Sequence, residues 1–196
     1  MEQLFTIAQE GRSKVNEKMS RFYGFALHAS TETEAKEIIR RITNEYHDAR
    51  HVCWAYSVGV GSDRRILCND NGEPSGTAGK PILGQINSFT LTDVVVVVVR
   101  YFGGIKLGTG GLTVAYRVSA REAIEDAQLE ERHIYAQLQF TFPYMVMNDV
   151  MKIAKQPGMT ILEQQFDNTC SMTLQMKEAD FEATKSRLLS ISGLTL

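Results

Sequence analysis

Apolar residues in the first part of the chain recur at two different spacings, one typical of strands and one typical of a helix. Apolar residues at every second position predict strands, and apolar residues recurring every three or four positions predict an amphipathic helix. In chain order the pattern predicts a strand over 21–29, a helix over 31–47, and strands over 51–60 and 65–69. Thr31 and Glu34 have the spacing of a capping box at the start of the helix. Turn residues at 61–63 predict a hairpin between the last two strands.

A run of six valines, 94–99, is the most distinctive apolar segment. β-Branched residues on both faces predict a strand that is buried on both sides, and therefore central in its sheet. A helix over 80–89, with Pro81 in its first turn, is predicted before this strand. A second helix, with a face of small residues, is predicted to begin at Leu112 and to pack closely against the valines. The segment 103–111 between strand and helix is then a glycine-rich loop.

The pattern restarts after the segment 130–133. Strands are predicted over 135–142, 160–166 and 170–176, and helices over 144–155 and 178–191, with a hairpin turn at Asp167 and Asn168. This β-α-β-β-α order is that of a ferredoxin-like split βαβ unit. The methionines at 145, 147 and 151 are interpreted as core filling. The sequence therefore predicts an α+β protein with two domains, 1–131 and 135–196.

Composition narrows the class of protein. A chain of 196 residues with 43% hydrophobic and 22% charged residues is typical of a soluble globular protein. The net charge of −2 excludes a protein that coats nucleic acid over its whole surface but allows a local basic patch. The longest apolar run is too short to cross a membrane, so no membrane partner is predicted. Three cysteines without a C-x-x-C pair are interpreted as structural thiols, which favours a reducing cytoplasm.

Charge is unevenly distributed along the chain. Residues 72–121 carry a net charge of +3, and nine of the fifteen glycines fall within 72–111. Residues 122–134 carry a net charge of −4, which we interpret as a solvated helix end followed by a linker. The chain thus has one stretch that is both basic and rich in glycine.

The unit of strand, glycine loop and helix can present backbone N–H groups to an anion. It does not match a P-loop, because Thr109 and Gly110 stand where lysine and serine or threonine are required. It does not match the dinucleotide fingerprint either, because Thr113 replaces the third glycine. The alternative is that the glycines only allow a sharp crossover. The candidate phosphate- or RNA-binding residues are Lys80, Arg100, Lys106, Gly108, Thr109, Gly110, Gly111 and Arg117.

Five further residues are supporting candidates. Arg50 and His51 form a polar pair before a predicted strand. Asp70 and Glu73 have the chemistry to hold a hard cation, or they belong to a structured turn. Arg100 and Tyr101 can bind a phosphate and stack on a base, or form a buried ion pair and a core aromatic. The four histidines lack metal-ligand spacing, so no metal site is predicted. The sequence has no Gly-x-Ser-x-Gly nucleophile elbow and no readable Cys/His pairing, so no catalytic residue is predicted, and no cofactor is predicted either.

Two long motifs, 70–81 and 97–112, together with the segment 48–51, closely resemble the YigZ / IMPACT family. The segment 113–117 departs from the family, which usually has a basic residue nearer the glycine loop. The resemblance implies a fold like ribosomal protein S5 domain 2 over 1–131, and a ferredoxin-like fold like the last domain of the translocation elongation factor over 135–196. It also implies control of translation, because eukaryotic relatives compete for a partner of the kinase that senses amino-acid starvation.

Three functions follow from these observations. The first is a non-enzymatic, translation-associated regulator that binds structured RNA or the ribosome through the basic glycine region. The second is a protein-binding adaptor in translational stress control, with exposed aromatics around Tyr101 and Phe102 as the anchor. The third is a nucleotide- or phosphate-binding enzyme of S5-like architecture, with Asp70 or Glu73 holding Mg²⁺.

Overall fold

The computed structural model describes residues 3–167 and 169–196 of the chain. These residues form two compact units, the first ending at Arg132 and the second running over His133–Leu196. Each unit combines helices with its own sheet, which confirms the prediction of a mixed α and β protein. In the part of the chain described, no helix is both long and apolar enough to span a membrane.

The first unit is built on a five-stranded antiparallel sheet. Its elements are the strands β1 (Phe5–Gln9), β2 (Gly11–Glu17), β3 (Ser20–His28), β4 (His51–Val58), β5 (Arg65–Asn69), β6 (Val94–Tyr101) and β7 (Gln128–Glu131), and the helices α1 (Glu32–Glu45), α2 (Gly79–Ser88) and α3 (Gly108–Asp126). The strand order of the main sheet is β2-β3-β6-β4-β5. Strands β1 and β7 form a separate antiparallel pair. The sheet has α2 and α3 on one face and α1 on the other.

The six valines lie at the centre of the sheet, as the sequence predicts. Strand β6 is the third of the five strands, and all six valine side chains are fully buried. The even-numbered valines pack with α2 and α3, and the odd-numbered ones pack with α1. This two-residue alternation continues past the valines, so Arg100 faces the side of α2 and α3 while Tyr101 faces the other side.

Helix α3 packs very closely on the sheet, as its small residues predict. A Cβ atom added to Gly24 on β3 would lie 2.6 Å from the backbone oxygen of Ser119 on α3, which is too close for any side chain. Ser13 on β2 also donates a hydrogen bond to that oxygen over 2.7 Å. Glycine at position 24 therefore lets the helix backbone contact the strand directly.

Several boundaries differ from the predicted ones. Helix α3 begins at Gly108 rather than at Leu112, because glycine costs little in a first turn, whose N–H groups have no intrahelical partner. Strand β4 ends at Val58. Strands β1 and β2 were not predicted, and β7 occupies part of the acidic segment that we interpreted as a linker. Strand β2 is largely polar because it is an edge strand, so its sequence carries little of the alternation that marks buried strands.

The second unit has the predicted β-α-β-β-α order. Its elements are β8 (Tyr135–Pro143), α4 (Met147–Ala154), β9 (Thr160–Gln165), β10 (Thr169–Lys177) and α5 (Glu178–Leu189). The strands are antiparallel in the order β8-β10-β9, and Thr195 forms an isolated bridge with Thr141 of β8. Met147 and Met151 pack against the core, but Met145 is 94% exposed, so its assignment to the core was wrong. The predicted turn includes Asn168, which lies outside the described residues.

Candidate anion-binding pocket

A cavity of about 350 Å³ opens where β6 ends and α3 begins. Three segments that are distant in sequence form its walls: the end of the loop before β4, the loop after β5, and the glycine segment after β6. Its polar and glycine lining consists of Arg50, His51, Glu73, Arg100, Lys106, Gly108 and Thr109. Its apolar lining consists of Pro74, Phe102, Leu107 and Leu112. The fold therefore brings residues of both glycine motifs to one site.

Arg100 and Glu73 form a buried ion pair in this pocket. Arg100 Nη1 donates to Glu73 Oε1 over 2.6 Å, and the two residues are 5% and 8% exposed. The guanidinium carbon lies 5.6 Å from the ring centre of Phe22 and 5.5 Å from that of Phe102. Among the described residues, Arg100 Nε is the one buried side-chain nitrogen or oxygen that lacks a hydrogen-bond partner. The pair neutralises the charge of Arg100 but leaves this N–H unsatisfied.

Glu73 is also held by a neutral donor. The hydroxyl of Tyr116 donates to Glu73 Oε1 over 2.9 Å, and Cys53 Sγ lies 3.3 Å from the same hydroxyl. Burial raises the pKa of Cys53 to about 12 and also raises the pKa of Tyr116. Both groups therefore remain protonated at neutral pH, so Cys53 is not a nucleophile and Tyr116 acts as a donor.

His51 is oriented by the loop that follows β5. Its Nδ1 lies 2.9 Å from the backbone oxygen of Asn71, an acceptor, so the proton resides on Nδ1. This leaves Nε2 on the side of Glu73, 3.9 Å from Oε1. His51 is also the cross-strand neighbour of Arg100. The imidazole is therefore fixed within the pocket.

Asp70 caps the loop that precedes α2. Its carboxylate accepts hydrogen bonds from the backbone N–H groups of Gly76, Ala78 and Gly79 over 2.8, 2.9 and 2.8 Å. Burial acts to raise the pKa of Asp70, but these three donors outweigh it and hold the pKa below its ordinary value. In the part of the chain described, no group of three or more His, Cys, Asp and Glu residues is placed to hold a metal ion. These three backbone N–H groups before and at the start of α2 therefore already have an acceptor within the protein.

The start of α3 differs from the start of α2. Leu107 precedes the helix, no side chain caps it within the described residues, and its first turn contains no acidic residue. Gly108 and Thr109 bring this uncapped end to the cavity. Over residues 3–167 and 169–196, neither Arg50 nor Lys106 takes part in an ion pair. The pocket therefore combines two uncompensated cations with the partial positive charge of a helix N-terminus.

Other residues that the sequence singled out do not line the cavity. Lys80 is exposed in the first turn of α2, Arg117 is exposed on α3, and neither lines the cavity. Gly110 and Gly111 belong to the beginning of α3 but also lie outside the lining. Tyr101 faces the opposite side of the sheet, where its hydroxyl donates to Asp48 over 2.6 Å.

Three residues in or beside the pocket were not predicted as part of a binding site. Phe102 was considered only as a protein anchor, Cys53 was interpreted as a structural thiol, and Tyr116 was given no site role. A polar partner inside the protein leaves no local sequence signal. The link between Tyr116 and Glu73 joins residues 43 positions apart.

Replacing Asp70 with asparagine should remove a pH-dependent contribution to stability. Because the folded-state pKa of Asp70 is lowered, its ionised form stabilises the protein above the ordinary aspartate pKa of about 3.9, and this is lost as pH falls through the folded-state value. We expect Asp70→Asn to lower the free energy of unfolding by about 1–2 kcal/mol at neutral pH. Urea denaturation measured from pH 7 downward should show the difference between wild type and variant shrinking. A constant difference at every pH would contradict the proposed cap.

Comparisons with known proteins match this part of the chain. The Impact N-terminal domain matches residues 18–124, which include every residue of the pocket. The chain is 33% identical over 179 residues to the IMPACT family member YvyE of Bacillus subtilis (strain 168), covering 91% of this chain and 82% of that protein. It is 40% identical over 116 residues to the IMPACT family member YigZ of Escherichia coli (strain K12), covering 59% and 57%.

A solved structure is similar over the whole chain. A crystal structure described as that of a hypothetical protein has a TM-score of 0.69 and 28% sequence identity, and the alignment covers 100% of this chain and 96% of that one. The matched domain spans more than half of the chain, and the Bacillus subtilis relative aligns over most of it. The family resemblance inferred from the glycine motifs is thus confirmed: this chain belongs to the IMPACT family.

Proposed function

We propose that this protein is a non-enzymatic, translation-associated regulator that binds structured RNA or the ribosome through the pocket at the start of α3. The observation that carries the proposal is the convergence of Arg50, Lys106 and an uncapped helix N-terminus at one cavity. Phosphate groups supply the negative charge that such a site attracts, and phosphate contacts dominate the affinity of proteins for nucleic acids.

The apolar part of the pocket supports nucleic acid over a simple anion. The Phe102 side chain is 44% exposed, so its ring offers a surface on which an unstacked base can pack. The adjacent cations would contact the backbone of the same strand. A site with both features suits single-stranded or looped RNA, whose bases are accessible.

A protein-binding adaptor is the second candidate, and one observation favours it. Met19, Phe102 and Ile105 are large hydrophobic residues that are exposed. The backbone of Met19 directly contacts Gly103, so Met19 and Phe102 lie close together near the pocket. Exposed apolar residues grouped in this way are typical of protein interaction sites.

The enzyme hypothesis has less support from the geometry. The two carboxylates expected to hold Mg²⁺ already have partners, since Asp70 accepts three backbone N–H groups and Glu73 pairs with Arg100. Binding a metal ion would require these contacts to break. We therefore assign the pocket a binding role.

The finer domain assignments are consistent with this role. We propose that residues 1–131 have the fold of ribosomal protein S5 domain 2 and that 135–196 are ferredoxin-like, as in the last domain of the translocation elongation factor. The bridge of Thr195 on the free side of β8 supports the second assignment, because a fourth ferredoxin strand occupies that position. The family resemblance implies two folds that recur in proteins that contact ribosomal RNA. We also infer that this chain acts in the cytoplasm.

The salt dependence of RNA binding tests the proposal. If the two uncompensated cations, Arg50 and Lys106, contact phosphates, the slope of log affinity against log salt should lie near about −1.4 for single strands and about −1.8 for duplexes. Affinity for ribosomes or structured RNA should then fall about 7- to 12-fold between 50 and 200 mM salt. Filter binding at these two salt concentrations measures the change. Absence of salt-sensitive binding would reject RNA binding and leave the adaptor function, which a pull-down that survives nuclease treatment would support.

A further inference from the structure

The depth of the pocket favours a phosphate at the end of a nucleic-acid strand over a phosphate within the strand. Its lining includes exposed residues at the rim, among them Arg50 and Lys106, and buried residues below, among them Arg100 and Glu73. Arg100 lines the cavity and is only 5% exposed, so its guanidinium is a cation below the rim that only a group entering the cavity can reach. A phosphate within a chain carries a nucleotide on each side and cannot enter as far as a phosphate at a strand end.

The net charge of the pocket also favours a terminal phosphate over an internal one. Arg50, Arg100 and Lys106 supply three positive charges against the single carboxylate of Glu73, and the helix N-terminus adds a partial positive charge. This excess of two charges matches a phosphomonoester, which carries about −1.5 to −2 at neutral pH. An internal phosphodiester carries only one negative charge and would leave part of the excess uncompensated.

The available donors also suit a terminal phosphate. A phosphomonoester has three terminal oxygens that accept hydrogen bonds strongly. The pocket offers the guanidinium of Arg100, the first N–H groups of α3 at Gly108 and Thr109, and the cationic side chains of the rim. A cavity of about 350 Å³ lies within the range that accommodates a small ligand.

We propose that the pocket binds the phosphomonoester at the end of an RNA strand, with the terminal base against Phe102. This inference rests on the proposed function and specifies which part of an RNA the site recognises. It gives the Arg100 guanidinium, which pairs with Glu73, a further role as the cation below the rim of the pocket.

Fluorescence anisotropy with matched oligoribonucleotides tests the inference. Three probes of one sequence are needed: one with a 5′-phosphate, one with a 3′-phosphate, and one with hydroxyls at both ends. The corresponding nucleoside monophosphate serves as competitor. We expect one phosphorylated oligonucleotide to bind at least tenfold more tightly than the hydroxyl form. The Lys106→Gln variant should reduce this ratio. Arg40→Gln, which removes an exposed arginine from α1 on the opposite side of the sheet, should preserve it.

The outcomes separate this inference from the proposed function. Salt-sensitive binding that is equal for all three oligonucleotides would overturn the terminal-phosphate inference and leave RNA binding intact. A nucleoside monophosphate that competes as strongly as the phosphorylated oligonucleotide would also overturn it, because the ligand would then be a free nucleotide. Absence of binding by every oligonucleotide would reject both.

Discussion

Replacing Glu73 with alanine should lower the free energy of unfolding by about 3–5 kcal/mol. The substitution removes the partner of a buried guanidinium and leaves the hydroxyl of Tyr116 without its acceptor. Arg100 already has an unsatisfied Nε, so a second unsatisfied group on the same side chain would add to an existing cost. Urea denaturation followed through the fluorescence of Trp54, the single tryptophan, measures the effect on the first unit, which holds the pair.

A double-mutant cycle separates the pair from its surroundings. Arg100→Leu combined with Glu73→Leu removes both charges together and should be less destabilising than the sum of the single changes. Glu73→Gln should lie between wild type and Glu73→Ala, because glutamine retains an acceptor for Tyr116. A loss below about 1 kcal/mol in Glu73→Ala would contradict the buried ion pair, since only exposed pairs contribute so little.

Reversing the charge of Lys106 should weaken RNA binding by about ten- to hundredfold. Lys106 is exposed at the rim of the pocket, and it has no ion-pair partner in the portion of the chain that the structure describes. Lys106→Glu removes one attractive contact and adds a repulsion, so a loss of about 1.4–2.8 kcal/mol of binding free energy is expected. The stability of the protein should change little, because the side chain makes no buried contact.

Arg40→Glu is the matched control for this experiment. It makes the same change in net charge on the exposed surface of α1, which packs on the opposite face of the sheet. Equal losses in the two variants would mean that net charge alone governs binding and that the pocket is not the site. Titration of both variants at one salt concentration gives the comparison.

Successive side chains of β6 point to opposite faces of the sheet, and this could be predicted from the sequence. It decides the roles of two neighbouring candidate residues. Arg100 and Tyr101 were considered together at the strand exit, but adjacent residues of a strand point to opposite faces. Counting from the valines places Arg100 with the even-numbered valines, and therefore with α3, while Tyr101 packs near Tyr23 on the other face. The central strand itself was predictable for the same reason, because only a strand buried on both faces tolerates six consecutive valines.

Other features have no signal in a single sequence. The hairpin between β2 and β3 turns through Lys18 and Met19, which have positive φ angles of 42° and 69°. Such turns favour glycine and asparagine. Because neither residue stands at positions 18 and 19, the sequence did not predict the hairpin. The meeting of the two glycine motifs depends on strand order, which brings β4 and β6 together over a long separation in sequence. The family resemblance could identify the motifs but not the side chains that face one another.

The contact between Gly24 and α3 has a kinetic consequence. Because the helix backbone rests directly on the strand at Ser119, and Leu112 near the helix start is buried in the same core, the first turn of α3 is held in place before any ligand arrives. The free-energy cost of binding therefore comes from ordering the ligand and not from rearranging the protein. A bulkier residue at position 24 would push the helix outward and misalign the amides of its first turn, and the complex should then dissociate faster while forming at an almost unchanged rate.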